Sequence, residues 1–132
     1  MTITEILKMK PKENISELTA RLTEIYDFKT GKGPYGEYSV QNVLLSDDTG
    51  KIMISLWNRT PVPKSCKGYN VILKANPRQD TKRNVLYPNA PQVEEAKPKD
   101  GTKSYVRLKI PRGAIFTLEE GTQPVEAETI EA

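Results

Sequence analysis

The stretch LLSDDTGKIMISLW, Leu44 to Trp57, decides how this chain is read. Two apolar runs flank Asp47-Asp48-Thr49-Gly50. Asp tolerates tight backbone conformations and Gly supplies positive φ, so the chain turns back on itself there. The second run alternates. Ile52, Ile54 and Leu56 fall on one face of a strand; Lys51, Met53, Ser55 and Trp57 fall on the other. The chain's only tryptophan is therefore in phase with a lysine and a serine; it reads as an outward ring available for stacking, with a cap on the barrel core as the alternative.

Working outward, YSVQNVLLS (38–46) reads as the strand before the turn, with Val40 and Leu44 on one face and Val43 and Leu45 on the other. KTGKGPYGEY (29–38), rich in glycine, reads as a loop. ISELTARLTEIYDF (15–28) is a long first strand in which Leu18, Ala20 and Leu22 share a face. The phase slips near Glu24 before Ile25, as at a β-bulge. Ile3, Ile6 and Leu7 predict a short helical turn ended by Pro11. After Trp57, two prolines in NRTPVPKSCKG (58–68) argue against a regular helix. YNVILKA (69–75) is a fourth strand with Tyr69, Val71 and Leu73 inward; NPRQDTKRN (76–84) is a polar loop, and VLYP (85–88) a short fifth strand. NAPQVEEAKPKDGTK reads as linker, and SYVRLKIP (104–111) as one extra strand, with Tyr105, Arg107 and Lys109 opposite Val106, Leu108 and Ile110.

Five short strands, the first long and bulged, predict an all-β fold: a five-stranded Greek-key OB-fold barrel with a C-terminal extension. The expected organisation is an OB-fold nucleic-acid-binding domain over 1–90, a linker with an extra strand over 91–118, and an acidic disordered tail over 119–132. The chain of 132 residues has room for one modest core, and its 36% hydrophobic content with 8 Gly and 10 Pro suits a loop-rich β domain. No segment approaches the roughly 18 apolar residues needed to span a bilayer, and no secretory leader is evident. Cys66 stands alone, so a reducing, cytoplasmic setting is expected.

The charge is uneven. Residues 119–132 contain Glu119, Glu120, Glu126, Glu128 and Glu131 and no Lys or Arg, leaving residues 1–118 with 20 basic and 12 acidic residues, a net +8. A basic body with an acidic tail points to a polyanionic partner. The chain contains no histidine, which removes the commonest general base and metal ligand. It has neither paired cysteines nor the glycine–lysine loop that cradles nucleotide phosphates. The adjacent acids Asp47 and Asp48 lack the alternating spacing of a calcium loop. No catalytic residue, metal or cofactor is expected.

Basic and aromatic residues are interleaved where the loops of an OB groove would stand. Phe28 and Tyr35 flank Lys29 and Lys32; the outward face of the third strand offers Lys51 and Trp57, with Arg59 just beyond; Lys74 leads into Arg78, Lys82 and Arg83. Arg21 and Tyr87 lie at the margins of this set. Single-stranded nucleic acid suits such a mixture, because cations track phosphates while exposed rings stack on bases without reading sequence.

At LLSDDTGKIMISLW the chain resembles the simple single-OB single-stranded DNA-binding proteins of the archaeal type, relatives of the replication protein A DNA-binding domains. The likeness extends back through LKMKPKENISELTARLTEI and forward through CKGYNVILKAN, about residues 5–90. It implies that Trp57 stacks a base. Two departures stand out. NPRQDTKRN has no ring where that family often has further aromatics, and the tail ends ETIEA without the aromatic-and-proline terminus of bacterial relatives. The resemblance implies binding of single-stranded DNA with little sequence preference in replication, recombination or repair, with replication or recombination proteins recruited through the acidic tail. An RNA-binding OB module and a non-catalytic OB scaffold that grips protein stay open, as does pairing between copies through the last strand.

Overall fold

A computed structural model describes residues 1–76, 89–98, 101 and 103–120. One seven-stranded sheet runs through these residues: β1 (Glu17–Gly33), β2 (Gly36–Ser46), β3 (Lys51–Trp57), β4 (Asn70–Lys74), β5 (Gln92–Ala96), β6 (Tyr105–Ile110) and β7 (Ile115–Glu119), in the order β5-β6-β3-β2-β1-β4-β7. All neighbours are antiparallel except β3 and β6, which run parallel.

The shape follows from β1, which serves two partners. Glu17–Arg21 pairs with β4, and from Arg21, which has a partner on each side, the strand pairs with β2. A flat strand does not hand itself from one neighbour to another, and β1 bends at two bulges, between Leu22 and Glu24 and between Ile25 and Phe28. The phase slip in the sequence is the first of these. Each bulge is tied by a side chain. The Thr23 hydroxyl donates to the Leu44 carbonyl at 3.1 Å. Gln41, only 5% exposed, donates from Nε2 to the carbonyls of Tyr26 and Val62 and accepts from the Val62 N–H at 2.7 Å. A buried amide with its partners satisfied fixes the bulge to the connection after β3.

The core fills the concave side. Leu18, Leu22, Val43, Leu45, Ile52, Ile54, Val71 and Leu73 are at most 2% exposed, each worth about 1.5–3 kcal/mol of burial. The alternation of Ile52, Ile54 and Leu56 lands on the core as expected. A five-residue helix, α1 (Ile3–Leu7), closes one end of the core with Ile3 and Ile6. Its capping box is complete: Thr2 Oγ1 accepts from the Glu5 N–H, and Glu5 accepts from the Thr2 N–H. The helix docks on the β2–β3 turn, where the Ile3 N–H donates to Asp47 Oδ2 at 2.9 Å.

Three expectations need correction. Residues 29–38 are not a loop: β1 and β2 continue as a paired ribbon to Gly33 and Gly36, leaving only Pro34-Tyr35 at the tip. Residues 91–118 are not a linker with one strand. They supply β5, β6 and β7, and Val93, Leu108 and Ile110 are fully buried in the common core. Residue 119 does not begin a free tail, since Glu119 pairs with Asn70. The sheet thus has seven strands among the described residues, where five were expected. The strand read at 85–88, with Tyr87, and the tail from 121 onward lie outside the described residues. The ladder itself is not closed, but its β5 edge lies against the segment leading into β1, through the Asn14–Gln92 bridge and the Lys12 N–H to Val93 carbonyl bond of 2.7 Å. Among the described residues no helix is long and apolar enough to cross a membrane.

Candidate nucleic-acid interface

Trp57 ends β3 on the face away from the core. Its register partner is Val40 of β2, which in turn faces Lys29 of β1. Two residues along β2, Tyr38 stands beside the indole, with ring centroids 5.9 Å apart and planes inclined at 45°. On the other flank, Lys109 of β6 holds its Nζ 5.7 Å from the centre of the indole. A lysine, a tryptophan and a tyrosine from three adjacent strands therefore form one row. The indole is half-buried, and its Nε1 lies buried without a hydrogen-bond partner.

The row depends on close approaches behind it. Tyr38 pairs with Gly31, and its ring lies across that glycine: a Cβ there would meet Tyr38 ring and hydroxyl atoms at 2.7 Å. Ser55, read from sequence as part of the open face, is 1% exposed and donates to Asn42 Oδ1 at 2.8 Å. It is covered because β6 lies alongside β3, with Lys109 in register with Ser55.

The chain then turns sharply. Asn58 takes a left-handed conformation (φ 55), which asparagine tolerates, and is held to Ser39 by two bonds: its N–H donates to the Ser39 carbonyl at 2.9 Å, and its Oδ1 accepts from the Ser39 N–H at 3.0 Å. Arg59 is thereby aimed away from Trp57. Two grooves, of about 600 and 570 Å³, share Asn58, Arg59 and Thr60 in their walls; the first reaches Lys32 and Tyr38, the second Phe116 and Leu118.

The residues expected to bind are only partly brought together. Lys29 shares the Trp57 face and is exposed. Phe28 pairs with Gln41 and Lys32 with Glu37, so the pleat puts both on the opposite face of the ribbon. Phe28 is 37% exposed, whereas Tyr35, at the ribbon tip, is wholly exposed. Lys51 is on the same strand face as Trp57 but six residues away, about 20 Å at 3.3 Å per residue. Lys74 ends β4, three places from β3 in the ladder. Arg78, Lys82 and Arg83 lie outside the described residues.

Arg59 has a structural occupation instead of an open one. Its Nη2 donates to the carbonyls of Pro111 at 2.7 Å, of Arg112 at 3.4 Å and of Ala114, and its guanidinium sits 5.9 Å from the Phe116 ring centre. Burial lowers its pKa, and its Nε is buried without a partner. It clamps the turn between β6 and β7, so the expectation of an available phosphate contact does not hold in this structure.

Two residues of the row escaped the sequence reading. Tyr38 opens the strand read at 38–46 and shares parity with Val40, but that parity alone assigns it no role. Lys109 shares a face with Tyr105 and Arg107 in the sequence pattern, but nothing in the sequence says that β6 pairs with β3.

No known sequence family matches the chain, and no curated protein matches it. Solved structures do. DNA-binding domain A of replication protein A from S. cerevisiae aligns with a TM-score of 0.53 at 16% identity, over 89% of this chain and 94% of that one. An OB domain from Thermoplasma acidophilum gives 0.47 at 16% identity over 83% and 76%, and the second OB-fold domain of replication protein A from Methanococcus maripaludis gives 0.46 at 19% over 86% and 90%. The chain is an all-β protein of the OB type. At these identities the likeness is one of fold.

Proposed function

We propose that this chain binds single-stranded DNA with little sequence preference and covers it in replication, recombination or repair, without transforming it. The observation that supports this most is the outward row of Tyr38, Trp57 and Lys109, which sets stacking rings beside a cation on an OB-type sheet. Base–aromatic stacking is worth about 1–3 kcal/mol per base and is indifferent to sequence, because every base has a π face. The likeness to a domain described as DNA-binding adds support at the level of fold. Lys29 flanks the row on the same face of the ribbon, and Tyr35 stands exposed at its tip.

The test is a titration with oligo-dT followed through Trp57 fluorescence at two salt concentrations, with a matched RNA oligomer in parallel. Quenching should accompany binding, and affinity should fall with salt by about 0.7 log units per log unit for each phosphate contacted. Trp57→Ala should weaken binding by roughly 5- to 150-fold. Equal affinity of Trp57→Ala and the parent protein would sink the assignment.

A further inference from the structure

The geometry points to Lys109 as a displaceable cap on Trp57: its ammonium rests over the indole in the free protein and moves to a phosphate when a base takes the ring. This rests on the proposed function and deepens it, by assigning the phosphate partner of the Trp57 stacking position to a strand outside the predicted OB domain.

Three observations carry it. First, the charge of Lys109 is uncommitted. Arg107, two residues before it on the same face, is held by Glu94 at 2.6 Å, and Arg59 is spent on carbonyls, whereas Lys109 makes no ion pair among the described residues. Its contact is the indole, 5.7 Å from Nζ to ring centre. Second, an ammonium and a base compete for the same π surface. A cation–π contact at a partly exposed ring is weak, and a charge-assisted bond to phosphate replaces it readily. Third, the indole is only partly open in the free protein. Its N–H is buried with no acceptor, which costs free energy unless something later supplies one. Withdrawal of Lys109 opens the ring to the base. The lysine stem is rooted beside Ser55, two residues from Trp57 in register, so the freed ammonium stays within reach of that nucleotide's own phosphate.

The experiment compares the full chain with Lys109→Met, which keeps the apolar stem and removes the charge, and with Lys8→Met as a charge-matched control at the end of α1. Each protein is titrated with oligo-dT across a salt series, and Trp57 emission is recorded free and saturated. Lys109→Met should lower the salt slope by about 0.7, one phosphate, while Lys8→Met leaves it unchanged. The emission of Lys109→Met should differ from the parent when free and coincide with it when saturated. An unchanged slope overturns the phosphate role. Spectra that still differ at saturation overturn the displacement. If the parent protein fails to bind oligo-dT at any salt, the proposed function falls and this inference with it; binding by the parent with an unaltered slope in Lys109→Met defeats the inference alone. A denaturation midpoint for Lys109→Met separates loss of binding from loss of fold.

Discussion

Gly31 and Tyr38 face each other across the β1–β2 ladder, and the tyrosine ring occupies the space where any larger residue at 31 would place its Cβ. The absence of a side chain on one strand is thus what lets the ring on the other lie flat and reach Trp57.

Gly31→Ala should therefore act on the site more than on the fold. The contact is with the far end of a side chain, so the backbone can stay while the ring swings off. Trp57 emission should change and affinity for oligo-dT should drop, with stability altered by less than about 1 kcal/mol. Tyr38→Ala should reproduce the same binding loss. If Gly31→Ala binds normally while Tyr38→Ala does not, the ring has found another route to the indole.

Arg59 should behave as a fold residue. Arg59→Ala strips partners from the carbonyls of Pro111, Arg112 and Ala114 and is expected to cost about 2–4 kcal/mol in denaturant unfolding. Arg59→Lys should recover little, because an ammonium on a flexible stem does not reproduce a planar fork. A loss under 1 kcal/mol would return Arg59 to the cations available for phosphate.

Asp47 should make part of the stability acid-sensitive. Partial burial acts to raise its pKa, but bonds from the Thr49 hydroxyl and the N–H groups of Ile3, Thr49 and Gly50 outweigh it and hold the carboxyl below the ordinary 3.8. A carboxyl depressed on folding stabilises above its unfolded value and loses that contribution as pH falls through the folded one. The gap in stability between the parent protein and Asp47→Asn should be full above about pH 5 and shrink below about pH 4. A gap independent of pH would mean that shape, not charge, holds α1 to the turn.

Val93 tests whether residues beyond 90 belong to the fold. It is fully buried on β5, so Val93→Ala should cost about 1–3 kcal/mol through lost burial and the cavity left behind. A residue in a linker would change stability by less than about 0.5 kcal/mol.

How much of this was legible depended on whether the signal was local. The alternation of Ile52, Ile54 and Leu56, the Asp-Thr-Gly turn and the slip at Glu24 are properties of neighbours in sequence, and each appears where expected. The ribbon at 29–38 was hidden because glycines read as breakers, yet here Gly31 serves the close approach of a ring. β5 was hidden for a different reason: QVEEA buries only Val93 and Ala96, which are three residues apart and so on opposite faces of the strand, and the segment shows no alternation and looks polar. Lys109 and Arg59 could not be assigned at all from sequence. Their roles come from a parallel pairing and a turn more than fifty residues away from the tryptophan, and pairing partners leave no mark on the strand that receives them.

The left-handed Asn58 has one more consequence, for changes of length. Trp57 serves the outward row, Asn58 is stitched twice to Ser39, and Arg59 clamps the β6–β7 turn, so three successive positions are committed to three directions. Exchanges of residue type at 57 leave that division intact. A single insertion between 57 and 59 would shift one task onto its neighbour, whereas the Pro34-Tyr35 tip, bound to nothing beyond its own ribbon among the described residues, has room to grow. Variation in chain length belongs at the tip and not at the hinge.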